Sequence, residues 1–399
     1  MYVVTNTRRL IFLLAALTAF GPLSIDLYLP SLPLIASDLQ ATQASVQLSI
    51  SVFLAGLCVG MLLYGPLSDR FGRRPLLLFG ISLYVVASLG CALADSVEAL
   101  LVWRFLQALG GAAASVLARA VVRDLFPVTA AARVFSLMHL VTMLATLVAP
   151  LAGSYLILMA GWRSLFLLLL AFASSCLVLV AFNLAESHPP QQRETSLIQV
   201  FRAYGQMLRA PMALGFILCM GLSFAGMFAF ITASPFVYIE YFGVSSQHYG
   251  GLFALNIAGV IVATVFNARL VSRWGADQML SVGTAVAALA GISLAVVGGL
   301  GWGGLPAVVI CILFYVSMTG LIGANCLANL LAHFPQQAGA AAGLAISMQF
   351  GLGMVFSGLA GAFHNDTAAP MSLLIGVAGI GCLIAFRLAS RLSKRVGGL

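Results

Sequence analysis

Two ionisable side chains sit where the surrounding sequence offers them no water. Asp26 lies within the apolar run 10–33, about 25 Å along a helix from Arg9, and Arg104 lies about eight residues into the run 97–119. An ionised Asp at the centre of a membrane helix costs about 2.5 to 3.5 kcal/mol. Such a carboxylate therefore lines a water-filled cavity, pairs with a cation or carries a proton. A guanidinium keeps its charge and can favour the carboxylate until a proton or a solute changes the field. The chemistry expected of Asp26 and Arg104 is proton coupling within one cavity, directly or through water. The structural alternatives are an Asp26 near the outer mouth beside a kink at Pro30, and an Arg104 that snorkels outward or bonds backbone carbonyls.

A second set of residues has the types expected of a solute-binding pocket. Tyr28, Met138, Phe224 and Phe228 offer soft, tolerant surface, and His139, Asn256, Asn325 and Gln349 are polar groups inside apolar runs, where facing lipid is unfavourable. Each could equally pack in a core or bond an adjacent helix. No phosphate-binding G-x-x-x-x-G-K-[ST] loop, H-E-x-x-H or G-x-S-x-G is present, so neither ATP hydrolysis by a P-loop nor those hydrolytic chemistries are indicated. Neither a resident metal nor a cofactor is expected. The seven Cys residues, at 58, 91, 176, 219, 311, 326 and 382, lack a disulfide or metal spacing and read as packing residues.

The elements that position these groups follow from composition. Only 8% of the 399 residues are charged and 62% are hydrophobic, which excludes a water-soluble globule. Apolar windows predict an all-α membrane protein with about twelve spans: 10–33, 44–64, 75–94, 97–119, 131–158, 163–184, 211–234, 247–268, 278–298, 304–331, 337–361 and 370–390. Arg8 and Arg9 ahead of the first window resemble the start of a signal peptide, but the run is too long and lacks a cleavage pattern, so it reads as an uncleaved helix. With the N-terminus inside, all of the 19 Lys and Arg except Arg104 and Arg163 fall at the cytoplasmic side. The positive-inside rule therefore places both termini in the cytoplasm. The net charge of +8 is a topological signal, and no nucleic-acid partner is needed to explain it.

The polar interval 185–210 divides six spans from six, giving lobes 1–184 and 211–399. Within the interval, Leu197, Phe201, Tyr204 and Leu208 recur at helical spacing opposite Gln199, Arg202 and Gln206, which suits either a short interfacial helix or a solvated loop. The two lobes echo each other: Leu67, Arg70, Phe71 and Gly72 after span two align with Leu270, Arg273, Trp274 and Gly275 after span eight. Parallel repeats of six helices are the architecture of lobes rocking about a central site.

The segment Gly65-Pro66-Leu67-Ser68-Asp69-Arg70-Phe71-Gly72-Arg73-Arg74-Pro75 resembles the signature of the major facilitator superfamily between its second and third helices. Asp26-Leu27-Tyr28-Leu29-Pro30, Arg104-Phe105-Leu106-Gln107, Val122-Arg123-Asp124 and Ala149-Pro150-Leu151-Ala152-Gly153 extend the likeness to the Bcr/CflA branch of drug:proton antiporters. The resemblance implies the twelve-helix, two-lobed major facilitator fold and proton coupling through Asp26 and Arg104. It also implies a gating latch built from Gly65, Asp69, Arg70, Gly72, Arg73, Arg74 and Asp124, with Arg73 pairing with Asp124 and Asp69 facing the start of span eleven. Pro150 and Gly153 would form the antiporter motif. In the second lobe Ser272 replaces the acidic residue, so no gating role follows there.

The expected protein is thus a monomeric antiporter of a bacterial inner membrane, driven by the proton gradient and exporting a small, largely neutral drug. A proton-coupled exporter of an amino acid or sugar would use the same framework. A non-transporting sensor or scaffold is the remote reading.

Overall fold

The computed structural model describes residues 7–189 and 196–396, and the regular elements among them are all helical. A bilayer requires this, because each spanning segment must satisfy its own backbone donors and acceptors. The first crossing is assembled from pieces: α1 (Thr7–Thr18), α2 (Phe20–Asp26), one 3₁₀ turn (Leu29–Ser31) and α3 (Leu32–Asp38), bent by 40° after Thr18. Its prolines explain the breaks. Pro22, Pro30 and Pro33 have no N–H to donate to the carbonyls of Thr18, Asp26 and Leu29.

There follow α4 (Gln43–Phe71), α5 (Arg73–Ala92), α6 (Val97–Leu125), α7 (Val128–Ala160) and α8 (Arg163–Asn183). After the linker come α9 (Leu197–Arg209), α10 (Pro211–Pro235), α11 (Ser246–Leu300), α12 (Gly304–His333), α13 (Ala338–Ala362) and α14 (Ala369–Val396). A π-helical turn, Phe236–Tyr241, extends α10. Ten helices are long and apolar enough to cross a membrane and the bent first pair makes eleven. The 55-residue α11 contains two crossings joined at Gly275, which brings the described chain to the twelve expected. This is a multi-pass helical membrane protein.

Helices α4 and α6 run beyond the apolar windows, to Phe71 and Leu125, because polar residues outside the hydrocarbon layer continue a helix without cost. The Gly65–Phe71 segment, expected as loop, is therefore the last part of α4. Only Gly72 leaves the helical region, at φ 97° and ψ 157°, a backbone conformation that a side chain would strain.

Contacts divide the chain into two compact units, residues 1–41 with 52–200 and residues 42–51 with 201–399. The first turns of α4 are thus counted with the second unit, and the division passes through α9. In the first unit α5 packs on α6 and α8, while α1 and α2 pack on α7 and α6. In the second unit α11 packs on α12 and α14, and α10 on α13 and α14. The α5–α6 approach needs Gly110, where a Cβ would lie 2.6 Å from the Tyr84 nitrogen. All seven cysteines are free; Cys219 of α10 and Cys382 of α14 meet at 3.6 Å in the interior of the second unit. The expected linker residues Pro190, Gln191, Gln192 and Arg193 lie outside the described residues.

Candidate functional site

Asp26 is the last residue of α2 and is only 5% exposed. Its carboxylate is hydrogen-bonded by the Thr146 hydroxyl of α7, and no cation pairs with it among the described residues. The same face of α7 holds the first crossing at further points. Thr142 donates to Thr18 at 3.2 Å, and Gly153 lies directly against the Leu27 carbonyl oxygen, closer than any side chain would allow. Residues 142, 146, 150 and 153 recur at helical spacing. Pro150 sits on this face within α7, and its carbonyl accepts from the Ser154 hydroxyl at 2.8 Å. Pro150, Gly153 and the buried Asp26 carboxyl are therefore parts of one contact between α7 and the broken first crossing. Thr146 was missed in the sequence, although its position one and two turns before Pro150 and Gly153 marks the same face.

Arg104 of α6 has no solvent exposure. Its Nη1 donates to the Ser24 carbonyl at 3.0 Å and to Gln107 Oε1 at 2.8 Å. Ser24's carbonyl is free to accept because the ladder breaks beyond it: the Tyr28 N–H turns to the Ile25 carbonyl instead. A cation is favoured at such a helix C-terminus. The guanidinium also lies over the rings of Phe53 at 4.2 Å, Tyr28 at 4.5 Å and Phe166 at 5.9 Å, and these faces attract it. A network of neutral groups surrounds it: Gln107 donates to Ser88 at 2.9 Å, and Ser24 and Tyr84 share a hydrogen bond of 2.6 Å. Arg104 and Asp26 thus flank the same break without pairing directly, and Tyr28 belongs to the cage around Arg104 rather than to an open pocket.

The corner at Gly72 carries the third constellation. Arg73 is 5% exposed and reaches Asp69 at 2.5 Å and Asp124 at 3.0 Å, with Ser68 as a further acceptor. Asp124 also accepts from Ser187 at 3.0 Å. Glu186, just after α8, accepts from the backbone N–H groups of Arg73 at 2.9 Å and Arg74 at 3.3 Å, closing the N-terminus of α5 where a carboxylate is favoured. Arg74 donates to the Ala181 carbonyl at 2.8 Å, and Arg70 stacks over Phe71 at 5.5 Å. Glu186 and Ser187 were not legible as partners, since their distance in sequence gives no register with residue 73. A Cβ placed on Gly65 would meet no heavy atom within 4 Å, so nothing in this arrangement requires it to be glycine.

Residues 14–358 match the sequence profile of the Major Facilitator Superfamily. The chain belongs to this superfamily. It is 34% identical over 382 residues to the bicyclomycin resistance protein homolog of Haemophilus influenzae, with 96% of each chain covered. It is also 32% identical over 290 residues to the multidrug resistance protein MdtL of Escherichia coli, covering 70% of this chain and 71% of that one. Among solved structures, the nucleoside transporter NupG superposes with a TM-score of 0.75 at 14% identity, covering 96% of this chain and 99% of that one. The xylose transporter XylE of E. coli does so with 0.70 at 17%, covering 94% and 96%. Superfamily membership makes the chain a membrane transporter rather than an enzyme.

The solute-pocket candidates each have their own packing environment. Met138 is buried while its neighbour His139 on α7 is exposed. In the second unit Phe228 packs on Phe350 at 6.0 Å and lies against Gly353, and half-buried Phe224 faces Gly323. Asn325 donates to Asn267 at 2.7 Å and to the Leu321 carbonyl at 2.8 Å, so it ties α12 to α11. Asn256 donates back to Leu252 at 3.1 Å, leaving its buried Oδ1 without a partner. Gln349 is 6% exposed on α13. No hydrogen bond joins these residues into one group among the described residues. A cavity of about 240 Å³ in the second unit is lined instead by Gln43, Phe236, Glu240, Tyr241, His364 and Asp366, none of which the sequence singled out. There Gln43 donates to Glu240, and His364 lies 3.1 Å from Asp366.

Proposed function

We propose that the protein is an inner-membrane exporter, with both termini cytoplasmic, that exchanges protons for small, largely neutral drugs by alternating access. It works as a monomer and without a cofactor. The observation that carries the proposal is Asp26: a carboxyl buried in the first crossing, bonded to a hydroxyl and paired with no cation among the described residues. Such a group carries a proton when sealed and loses it when water and a path to the cytoplasm reach it. The names of the relatives, resistance to bicyclomycin and to multiple drugs, support the choice of cargo.

In the cycle, drug enters from the cytoplasm while Asp26 is ionised. The lobes move, protonation from outside favours drug release, and the proton then leaves inward. The Thr146 hydroxyl can donate to the carboxylate or accept from the acid, so it serves both states. Arg104, bonded to a main-chain carbonyl and caged by rings, holds the break in place while Asp26 changes charge. Asp69, Arg73, Asp124 and Glu186 fix the Gly72 corner, which acts as the gating latch. A proton driving force near 150 mV supplies about 3.5 kcal/mol per proton, sufficient for a gradient of a few hundred-fold in a neutral solute.

The test uses everted vesicles and a panel of drugs that includes bicyclomycin. Asp26→Asn should abolish uphill uptake but retain drug counterflow. Proton-driven uptake by that variant at the parental rate would reject the proposal.

A further inference from the structure

Helix α9 presents three separate faces, only one of which the protein covers. At about 100° per residue, Ala203, Tyr204 and Met207 fall in one arc of about 100°, and these three are buried. Leu197, Ile198, Phe201, Gly205 and Leu208 fall in a second arc of similar width. Ile198 is 74%, Phe201 47% and Leu208 39% exposed. Gln199, Arg202, Gln206 and Arg209 fill the remaining arc of about 80°, and all four are exposed. A helix that needed only to connect two bundles through water would not carry an uncovered apolar stripe beside a covered one.

The geometry points to α9 as a docking surface for anionic phospholipid of the bilayer that the chain spans. Position supports this occupant first. A single residue, Ala210, separates Arg209 from Pro211, where the membrane-spanning α10 begins, so α9 runs where that helix enters the bilayer. The order of the faces supports it next. An apolar stripe bordered by guanidinium and amide groups matches acyl chain bordered by headgroup, the layering that interfacial helices exploit. Charge completes the match: α9 contains Arg202 and Arg209 and no acidic residue, and each basic group near an anionic leaflet is attracted to it.

The stripe is also held in place before lipid arrives. The Phe201 ring meets Tyr204 edge-on at 5.8 Å, and the Tyr204 hydroxyl lies against Gly343 of α13, 3.4 Å from where a Cβ would stand. The protein-facing arc therefore fixes the helix rotation, and with it the direction in which Ile198, Phe201 and Leu208 point. A soluble protein partner would have to cover the same stripe while competing with the bilayer at its edge.

The experiment replaces Phe201→Trp in the full chain, reconstituted in phosphatidylcholine vesicles that contain increasing brominated phosphatidylglycerol or brominated phosphatidylcholine. The parental chain, with its own tryptophans, provides the background. The introduced indole should be quenched by both lipids, with the midpoint for the anionic one at about three- to tenfold lower mole fraction in low salt. The preference should shrink in about 0.5 M salt, disappear in Arg202→Gln/Arg209→Gln and return in Arg202→Lys/Arg209→Lys. Equal midpoints for the two lipids would overturn anionic recognition. Quenching by aqueous acrylamide with none by either brominated lipid would overturn the bilayer as occupant and indicate water or a soluble partner.

Discussion

Replacing Gly153 with Ala tests whether α7 must touch the broken first crossing. The new Cβ would fall on the Leu27 carbonyl oxygen, with the carbonyl carbon at 3.1 Å and the Leu27 Cα at 3.4 Å. Main chain cannot rotate aside as a flexible side chain would, so α7 or the break must shift. Overpacking of this kind costs about 1 to 3 kcal/mol, and a backbone obstacle belongs in the upper half of that range. Ala recovers about 1 kcal/mol as the better helix former. The net loss of about 1 to 2 kcal/mol shifts the equilibrium against the arrangement that places Thr146 on Asp26 by about five- to thirtyfold. Drug uptake into everted vesicles, normalised to inserted protein, should fall, by at most that factor. Gly251→Ala is the matched control: its site is open and lies in no proposed functional group, so uptake should stay parental. Parental uptake by Gly153→Ala, or an equal loss in Gly251→Ala, would refute the packing argument.

Arg104→Lys keeps the charge but loses the planar fork and the ring stacking; with a charge-assisted bond worth about 1.5 to 3 kcal/mol, uptake should drop at least about tenfold, and a parental rate would show that charge alone suffices. Glu186→Gln weakens the closure of the α5 N-terminus by about 1 kcal/mol, which a thermal melt in detergent should detect while apparent drug affinity is unchanged. Gly72→Ala forces a side chain into positive φ at about 1 to 3 kcal/mol; its melt should fall, and an unchanged melting temperature would remove strain as the reason for glycine at this corner.

The crossings were legible because a hydrocarbon layer imposes length and apolarity on each of them, and the bend at Gly275 between the two crossings of α11 stands where the sequence placed a connection. The contact of Arg73 with Asp124 was implied by the resemblance of residues 65–75 and 122–124 to the superfamily's signature, and not by their spacing. Other features depend on helix rotation and depth, which composition does not encode. Arg104 was expected either in a shared cavity with Asp26 or on backbone carbonyls, and its guanidinium donates to the carbonyl of Ser24, which the turn of the Tyr28 N–H to Ile25 leaves open, and to Gln107. Asn325, a candidate for binding solute, turns its amide to Asn267, since an amide in an apolar bundle is satisfied most directly by another amide on the next helix. Glu186 carries no signature of its own, and the helical spacing of Thr146 to Pro150 and Gly153 gains meaning only once the first crossing lies against that face.

The backbone at Gly275, with φ 78° and ψ 160°, repeats that of Gly72 at φ 97° and ψ 157°, 203 positions apart. The side chains around the two bends do not repeat. Asp69, Arg73 and Arg74 have Ser272, Ala276 and Asp277 as counterparts, and Asp277 accepts from Asn329 at 3.2 Å where its counterpart is a guanidinium. The chain has kept a shape twice and an electrostatic clasp once. Removing the charge of Arg73 should therefore act unequally on the two halves, loosening the bend it clasps more than its twin.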